Sequence, residues 1–256
     1  MYPIEACIQP NDPQWVEYLA YDRAYLNSVL CATRGFYDFI LGGSIGETAI
    51  HHLNKTLSTL GENLAGGDLA ASDSTISTVI TLAILSDVMN DNGAAKKHMQ
   101  GLYQLVQVRG GIPGLRHNPE LQSKVLRADL GVAIATGDKP LFFANGFSWD
   151  PYLHPRRRPT ASNPNPNPKP AAFARAANLA FQTGRKIPAD VFRETLVSVQ
   201  YRLLALRTRS APDSCCSLGL EDRDEELLRL GMLAFSTTVF LRIEGMPMRY
   251  GTWRGG

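Results

Sequence analysis

The chain has 256 residues, enough for one large domain or two small ones. Its 26 basic and 24 acidic side chains leave a formal net charge of +2, which excludes a strong intrinsic attraction to nucleic-acid backbones or anionic membranes. Apolar residues make up 44 % of the sequence and charged residues 20 %, so we expect an ordinary globular protein with a substantial core.

Apolar residues near the start of the chain recur at helical spacing. The segments WVEYLAYDRAYLNSVLCAT (residues 15–33) and ETAIHHLNKTLSTLGENL (residues 47–64) are each predicted to form a helix. The stretch before them has neither a basic region nor an apolar run, so no secretory signal is expected. No apolar segment approaches the ~20 residues that cross a bilayer. These features predict a soluble intracellular protein.

A serine-hydrolase pattern lies between these two segments. Residues 42–46, Gly-Gly-Ser-Ile-Gly, fit the G-x-S-x-G nucleophile elbow and would make Ser44 the nucleophile. Such an elbow joins a strand to a helix beside a parallel sheet, and an acid and a histidine must follow it. The rest of the chain predicts helices in place of strands. We therefore interpret residues 42–46 as a connection between helices and predict no catalytic residue, with a Ser44 hydrolase as an alternative.

The middle of the chain predicts two helices with clear ends. Ser72 and Asp73 provide capping residue types at the start of the first helix. Its apolar face consists of Ile76, Val79, Ile80, Ala83, Ile84 and Val88. The apolar face of the second helix consists of Met99, Leu102, Leu105 and Val106. This helix is predicted to end at Gly110-Gly111, because glycine adopts the left-handed conformation without a steric penalty.

Further helices are predicted downstream, on both sides of a proline-rich segment. Asn118, Pro119 and Glu120 have the residue types of an N-cap, a first helical position and a first-turn acid, and this helix ends near Gly137. Residues 151–170 are too rich in proline for a helix or a central strand. Helices follow at residues 188–207 and 225–243. The second of these is apolar nearly all round, so it is expected at the centre of the fold.

This pattern predicts an all-α fold, a multi-helix array of packed antiparallel helices with a proline-rich irregular insertion. The expected parts are an N-terminal helical part at residues 1–150, a loop or linker at 151–170, and a C-terminal helical part at 171–256 that packs on the first. Protease cleavage confined to residues 151–170 would support the linker.

The sequence offers no metal or cofactor site, and we predict neither. The adjacent His51 and His52 point about 100° apart on a helix and do not converge on one ion. No C-x-x-C pair is present, and the adjacent Cys215 and Cys216 can hardly chelate one ion or bond to each other without strain, so the reduced thiols of an intracellular protein are expected. The four cysteines are Cys7, Cys31, Cys215 and Cys216.

Several stretches resemble a known family. Residues 90–115 contain HMQGL and VRGGI, and residues 126–142 contain RADL followed by KPLF. In this order they resemble the fungal-specific transcription factor domain, the helical regulatory region that follows the binuclear zinc cluster of many fungal regulators. WVEYLAYDRAYLNSVL near the start and LLRLGMLAFSTTVFLR near the end are also similar to helices of this family. The landmark residues are His98, Gly101, Arg109, Gly110, Gly111 and Asp129.

From the residues alone, these landmarks have structural roles. Gly101 would let another helix approach the backbone of its own helix closely. Arg109 lies at a helix C-terminus, where its positive charge complements the helix dipole. We expect Arg109 to pair with Asp129 on the following helix. The chain departs from the family in lacking the six-cysteine zinc cluster, so direct DNA binding by that route is not expected.

The resemblance implies a non-catalytic transcription-regulatory domain located in the nucleus, or otherwise in the cytoplasm. It would act through protein partners, a homodimer or an unknown effector, and not on membranes. Two alternatives remain. One is a helical protein-interaction scaffold unrelated to transcription, and the other is the hydrolase that uses Ser44.

Overall fold

The computed structural model describes residues 8–9, 15–67, 70–142, 182–184, 187–188, 196–204 and 220–240. These residues are mostly helical, so the predicted all-α fold class is confirmed. The chain divides into two compact units. The first contains the helices between residues 12 and 145, and the second contains the elements between residues 146 and 244 together with Ile8–Gln9. The proline-rich segment at 151–170 lies outside the described residues.

The first unit is a set of packed helices joined by short connections. In chain order its helices are α1 (Trp15–Tyr21), α2 (Arg23–Gly42), α3 (Glu47–Ala65), α4 (Asp73–Val88), α5 (Asn92–Val108) and α6 (Pro119–Thr136), with a 3-10 helix at Ile112–Leu115. α2 packs against α3 and α4, and α4 packs against α5 and α6. Connections of a few residues, such as 43–46 and 89–91, favour antiparallel neighbours.

The first predicted helix is interrupted at Asp22. This residue has extended backbone angles, φ −108° and ψ 108°, and its carboxylate accepts a hydrogen bond of 2.9 Å from the Tyr25 amide. An aspartate in this geometry is an N-cap, so α1 ends and α2 begins here. α2 then continues to Gly42, through residues where the hydrolase elbow would need a strand.

α4 lies at the centre of the first unit and is buried around nearly its whole axis. The predicted apolar face is only partly buried, since Ile84 is 43 % exposed, while serine and threonine residues on other faces are buried. The hydroxyls of Thr78 and Thr81 donate hydrogen bonds of 2.9 Å to the carbonyls of Ser74 and Ser77. These polar side chains can therefore lie in the core, because the helix backbone accepts their protons.

The predicted starts of α4 and α6 and the predicted C-terminal ends of α5 and α6 are confirmed. Ser72 and Asn118 each accept a hydrogen bond of 3.1 Å from the backbone amide three residues later, as N-cap side chains do. Gly110, Gly111 and Gly137 all have positive φ, between 74° and 90°. Glycine reaches this region without the steric clash of a Cβ atom, and so it ends α5 and α6.

The described residues of the second unit contain two short strands, two helices and the end of a third helix at residues 182–183. The strands β1 (Ile8–Gln9) and β2 (Ile187–Pro188) pair in parallel, with Ile8 opposite Ile187. Helix α7 covers residues 196–204, within the predicted helix at 188–207, and α8 covers Leu220–Phe240.

The prediction that the last helix is a buried helix is wrong for one of its faces. In α8, Leu227 and Phe235 are about two-thirds exposed, whereas Arg229 is buried. The Arg229 guanidinium forms an ion pair with Glu226, with Nε 2.6 Å from Oε2, and Nη1 donates a 2.8 Å hydrogen bond to the Leu203 carbonyl. The inner face of α8 is therefore organised around a paired arginine.

Candidate functional site

Polar side chains from distant parts of the chain converge where α4 and α6 begin and α5 ends. We call Tyr18, Asp73, Arg109, His117 and Asn118 the Asp73 cluster. Three of its members are positioned by the helix ends on which they lie. Asp73 is the first residue of α4, Arg109 is the C-cap of α5 and Asn118 is the N-cap of α6. The cluster joins residues as far apart as 100 positions in sequence.

Arg109 makes the central ion pair of the Asp73 cluster. Its Nη1 lies 2.8 Å from Asp73 Oδ1 and also donates a 2.7 Å hydrogen bond to the Ala71 carbonyl. The two side chains of the pair are only 23 % and 20 % exposed, so solvent screens their attraction incompletely. Arg109 therefore fixes the connection before α4 against the end of α5.

The predicted pairing of Arg109 with Asp129 is wrong. The Asp129 carboxylate accepts hydrogen bonds from the Leu141 amide at 2.9 Å and the Phe142 amide at 3.1 Å. Asp129 lies past the middle of α6, whereas the Arg109 side chain lies beside the residues that precede that helix. Asp129 instead holds the chain that follows α6 against the helix.

Asn118 connects α6 to the rest of the cluster with both ends of its amide. Its Oδ1 accepts the capping hydrogen bond from the Leu121 amide. Its Nδ2 donates two hydrogen bonds of 2.9 Å, one to Asp73 Oδ2 and one to the Tyr18 hydroxyl oxygen. Burial and the Asp73 charge raise the pKa of Tyr18 to about 12, so this phenol keeps its proton.

The charge of Asp73 is stabilised by its neighbours. Burial by itself would raise the pKa of Asp73, but hydrogen bonds from Asn118 and Arg109 and the charges of Arg109 and His117 outweigh it and lower the pKa. Asp73 is therefore a carboxylate at neutral pH and accepts hydrogen bonds only. The protein itself provides hydrogen-bond donors to the Asp73 carboxylate.

His117 is the exposed member of the Asp73 cluster, with 51 % of its side chain accessible. Its Nε2 lies 3.0 Å from Arg109 Nη2 and 3.2 Å from both oxygens of Asp73, and its Nδ1 lies 3.2 Å from the Gly114 carbonyl. A proton on Nδ1 alone lets Nε2 accept from Arg109, whereas a second proton lets Nε2 donate to Asp73. Either protonation state has a partner in this geometry.

The other landmark residues lie outside the cluster and have different surroundings. His98 is half-buried in α5, and burial lowers its pKa while the charge of Asp91 opposes this. The prediction of a close helix approach at Gly101 is wrong, because a Cβ atom there would meet nothing within 4 Å. A close backbone approach occurs instead at Gly114, where a Cβ atom would collide with the Arg109 carbonyl.

Among the described residues, the surroundings of Ser44 differ from those of a nucleophile elbow. Ser44 is exposed in the connection between α2 and α3, after Gly43 ends α2 with φ 73°. The nearby Asp38 carboxylate accepts a 3.0 Å hydrogen bond from the Gly46 amide and forms an ion pair with Arg34. Within the described part of the chain, the Ser44 hydroxyl makes no hydrogen bond to a histidine or an acid.

No three histidine, cysteine or acidic side chains of the described ranges come together as a possible metal site. His52 Nδ1 instead lies 2.9 Å from Asn27 Oδ1 on α2. None of the described helices is both long enough and apolar enough to cross a membrane.

Sequence reasoning placed Asp73, Arg109 and Asn118 at helix ends but did not bring them together, and it missed Tyr18 and His117. Comparison with protein-family models, curated proteins and solved structures finds no match.

Proposed function

We propose that this chain is a non-catalytic transcription-regulatory domain of the fungal-specific type, which lacks its own zinc cluster and acts in the nucleus through protein partners or an effector. The observation that carries the proposal is the role of its landmark Arg109. The side chain of this residue forms the ion pair that connects the start of α4 to the end of α5. A landmark used to hold helix ends together suits a regulatory scaffold better than a catalytic site.

Such a domain would work by changing the arrangement of its helices. The Asp73 cluster concentrates the contacts between three helix ends and α1 in one partly exposed place. A partner that binds one arrangement of these helix ends more tightly than another would shift the population toward it. The exposed edge of the cluster, at His117, is where such a partner could reach it.

The test is a tethering experiment. The chain is fused to an unrelated DNA-binding domain, and transcription of a reporter is compared with that of the DNA-binding domain alone. We expect the fusion to change reporter output, Arg109→Ala to abolish that change, and Arg116→Ala at an exposed neighbouring position to retain it. Equal output from the fusion and the DNA-binding domain alone, with equal protein levels, would refute the proposal.

A protein-interaction scaffold unrelated to transcription is the second candidate. It is supported by large apolar side chains exposed on several helices, including Leu41, Leu57 and Leu227. The two candidates differ in location, because a scaffold of this kind need not enter the nucleus or co-purify with promoter DNA. Chromatin precipitation of the tagged chain separates them.

The hydrolase alternative has a direct chemical test. A serine-reactive fluorophosphonate probe should leave both the wild-type chain and Ser44→Ala unlabelled. Labelling of the wild type that disappears in Ser44→Ala would instead establish a nucleophilic serine and contradict the non-catalytic reading.

A further inference from the structure

Helix α2 buries mainly small residues, with Tyr25 as the large exception, and leaves several large apolar residues exposed. The residues that face its neighbours are mostly small, and include Ala24, Ser28, Cys31 and Gly35. At Gly35, a Cβ atom would already approach the Met89 side chain to 3.2 Å, so α2 packs closely there. Part of the apolar surface that normally drives burial of a helix thus lies on the side of α2 that faces solvent.

The outward residues form a continuous line along the helix. We call Leu26, Leu30, Thr33, Tyr37 and Ile40 the α2 outer stripe. All of them are exposed, Leu26 at 36 % and Tyr37 at 56 %. Their spacing alternates between four and three residues, which keeps them on one face and is the spacing of a seam between two supercoiled helices. An isolated exposed leucine needs no explanation, but a line of this length indicates a binding surface.

The borders of the stripe differ in charge. Arg23 and Arg34 lie along one border, whereas Val29 and Phe36 lie along the other, as their positions on the helical wheel require. In a parallel pair of identical helices, each border faces the opposite border of the partner helix. The arginines of each copy then lie against the apolar border of the other copy. An antiparallel pair would bring the two arginine borders together. Because Arg34 is paired with Asp38, repulsion there is reduced, but this arrangement still lacks the contact with the apolar border and is disfavoured.

The area of the stripe is sufficient for a weak, specific dimer. With about 200 Å² for a fully exposed large side chain, the stripe and its borders would bury about 500 Å² per copy, or about 1,000 Å² in total. This is the lower limit for specific interfaces between proteins. A reversible dimer with a dissociation constant in the micromolar range is the expected result.

We propose that the α2 outer stripe binds a second copy of this chain through a parallel pair of α2 helices. Thr33, at the middle of the stripe, then lies opposite Thr33 of the other copy. This inference goes beyond the proposed function, because it does not require any role in transcription.

The first measurement is the mass of the full-length chain by sedimentation equilibrium, over protein concentrations from about 1 to 200 µM. We expect a monomer–dimer equilibrium, and we expect Leu30→Glu to weaken it at least about tenfold by placing a charge in the seam. Leu57→Glu is the matched control, because Leu57 is a leucine of similar exposure, 45 % against 41 %, on the neighbouring helix α3. This control should dimerise like the wild type.

The second measurement tests the parallel arrangement. Thr33→Cys should form a disulfide-linked dimer under mild oxidation, while the wild-type chain, which keeps the native cysteines, should not. A wild-type chain that stays monomeric at every concentration would overturn the proposal. Dissociation caused by Leu57→Glu and not by Leu30→Glu would overturn it too. A dimer in which Thr33→Cys fails to cross-link would overturn the parallel pairing.

Discussion

Asp87 lies in the last turn of α4, where a negative charge is unfavourable. Burial raises the pKa of Asp87 from 3.8 to about 6. Within the described residues its carboxylate has no ion-pair partner, and the partial negative charge of a helix C-terminus also disfavours an anion at this position. At pH 7 the folded protein therefore contains an ionised carboxylate in a poorly hydrated place.

The energetic effect follows from this pKa. The change from 3.8 to about 6 corresponds to about 3 kcal/mol of free energy that the folded state loses when Asp87 ionises. Asp87→Asn removes the charge with almost no change of shape, although the amide still needs hydrogen bonds. We therefore expect the variant to be more stable than the wild type at pH 7 by about 1 to 3 kcal/mol.

The pH dependence has a definite sign. The folded state binds the Asp87 proton more tightly than the unfolded state, so wild-type stability falls as pH rises between about 4 and 6. Urea unfolding followed by circular dichroism should show little advantage of Asp87→Asn at pH 3.5 to 4 and the full advantage at pH 7. Glu62→Gln, which removes an exposed carboxylate on α3, is the control and should show no such gain. Equal stability of Asp87→Asn and the wild type at pH 7, or an advantage independent of pH, would refute the reasoning.

Three further predictions concern the Asp73 cluster and its surroundings. Arg109→Ala should lower the free energy of unfolding by about 2 to 3 kcal/mol, because Asp73 loses its ion-pair partner, whereas Arg116→Ala should change it by less than about 0.5 kcal/mol. Chemical denaturation measures both, and equal effects would argue against the ion pair. Gly114→Ala should destabilise by at least about 2 kcal/mol through the collision with the Arg109 carbonyl, whereas Gly101→Ala should be neutral or stabilise α5 by up to about 1 kcal/mol. Similar Tm values for the two alanine variants would contradict these contacts. The lowered pKa of Asp73 gives stability that is present above pH 3.8 and lost as pH falls through the folded value, so Asp73→Asn should remove this part of acid unfolding. An unchanged acid limb in that variant would exclude Asp73 as its source.

The helix ends could be predicted because capping is an interaction between residues close in sequence. Ser72, Asn118 and Gly137 occupy the expected cap positions, and each acts through backbone groups within a few residues. The same kind of signal was present at Asp22, three residues before Tyr25. The apolar spacing continues across Asp22, and therefore the break between α1 and α2 was missed.

The pairing inside the cluster could not be predicted in the same way. A cation at a helix C-terminus attracts any acid that folding brings near it. The sequence alone did not show whether Asp73 or Asp129 would be that acid for Arg109. Which of them lies beside Arg109 depends on how α4 and α6 pack against α5. Likewise, when a helix has apolar residues on two faces, its sequence does not show which face is buried. In α2 the face with small residues is buried, because small residues permit the close contact at Gly35.

The burial of α4 on nearly all sides determines how the first unit opens. Its backbone amides are shielded by α2, α5 and α6 together, so removal of a single neighbour would not expose them all. Their exchange with deuterated solvent should therefore be the slowest in this unit and should report its global free energy of unfolding. α1 is short and packs mainly on α2, so its amides can exchange after a local detachment that leaves α4 protected.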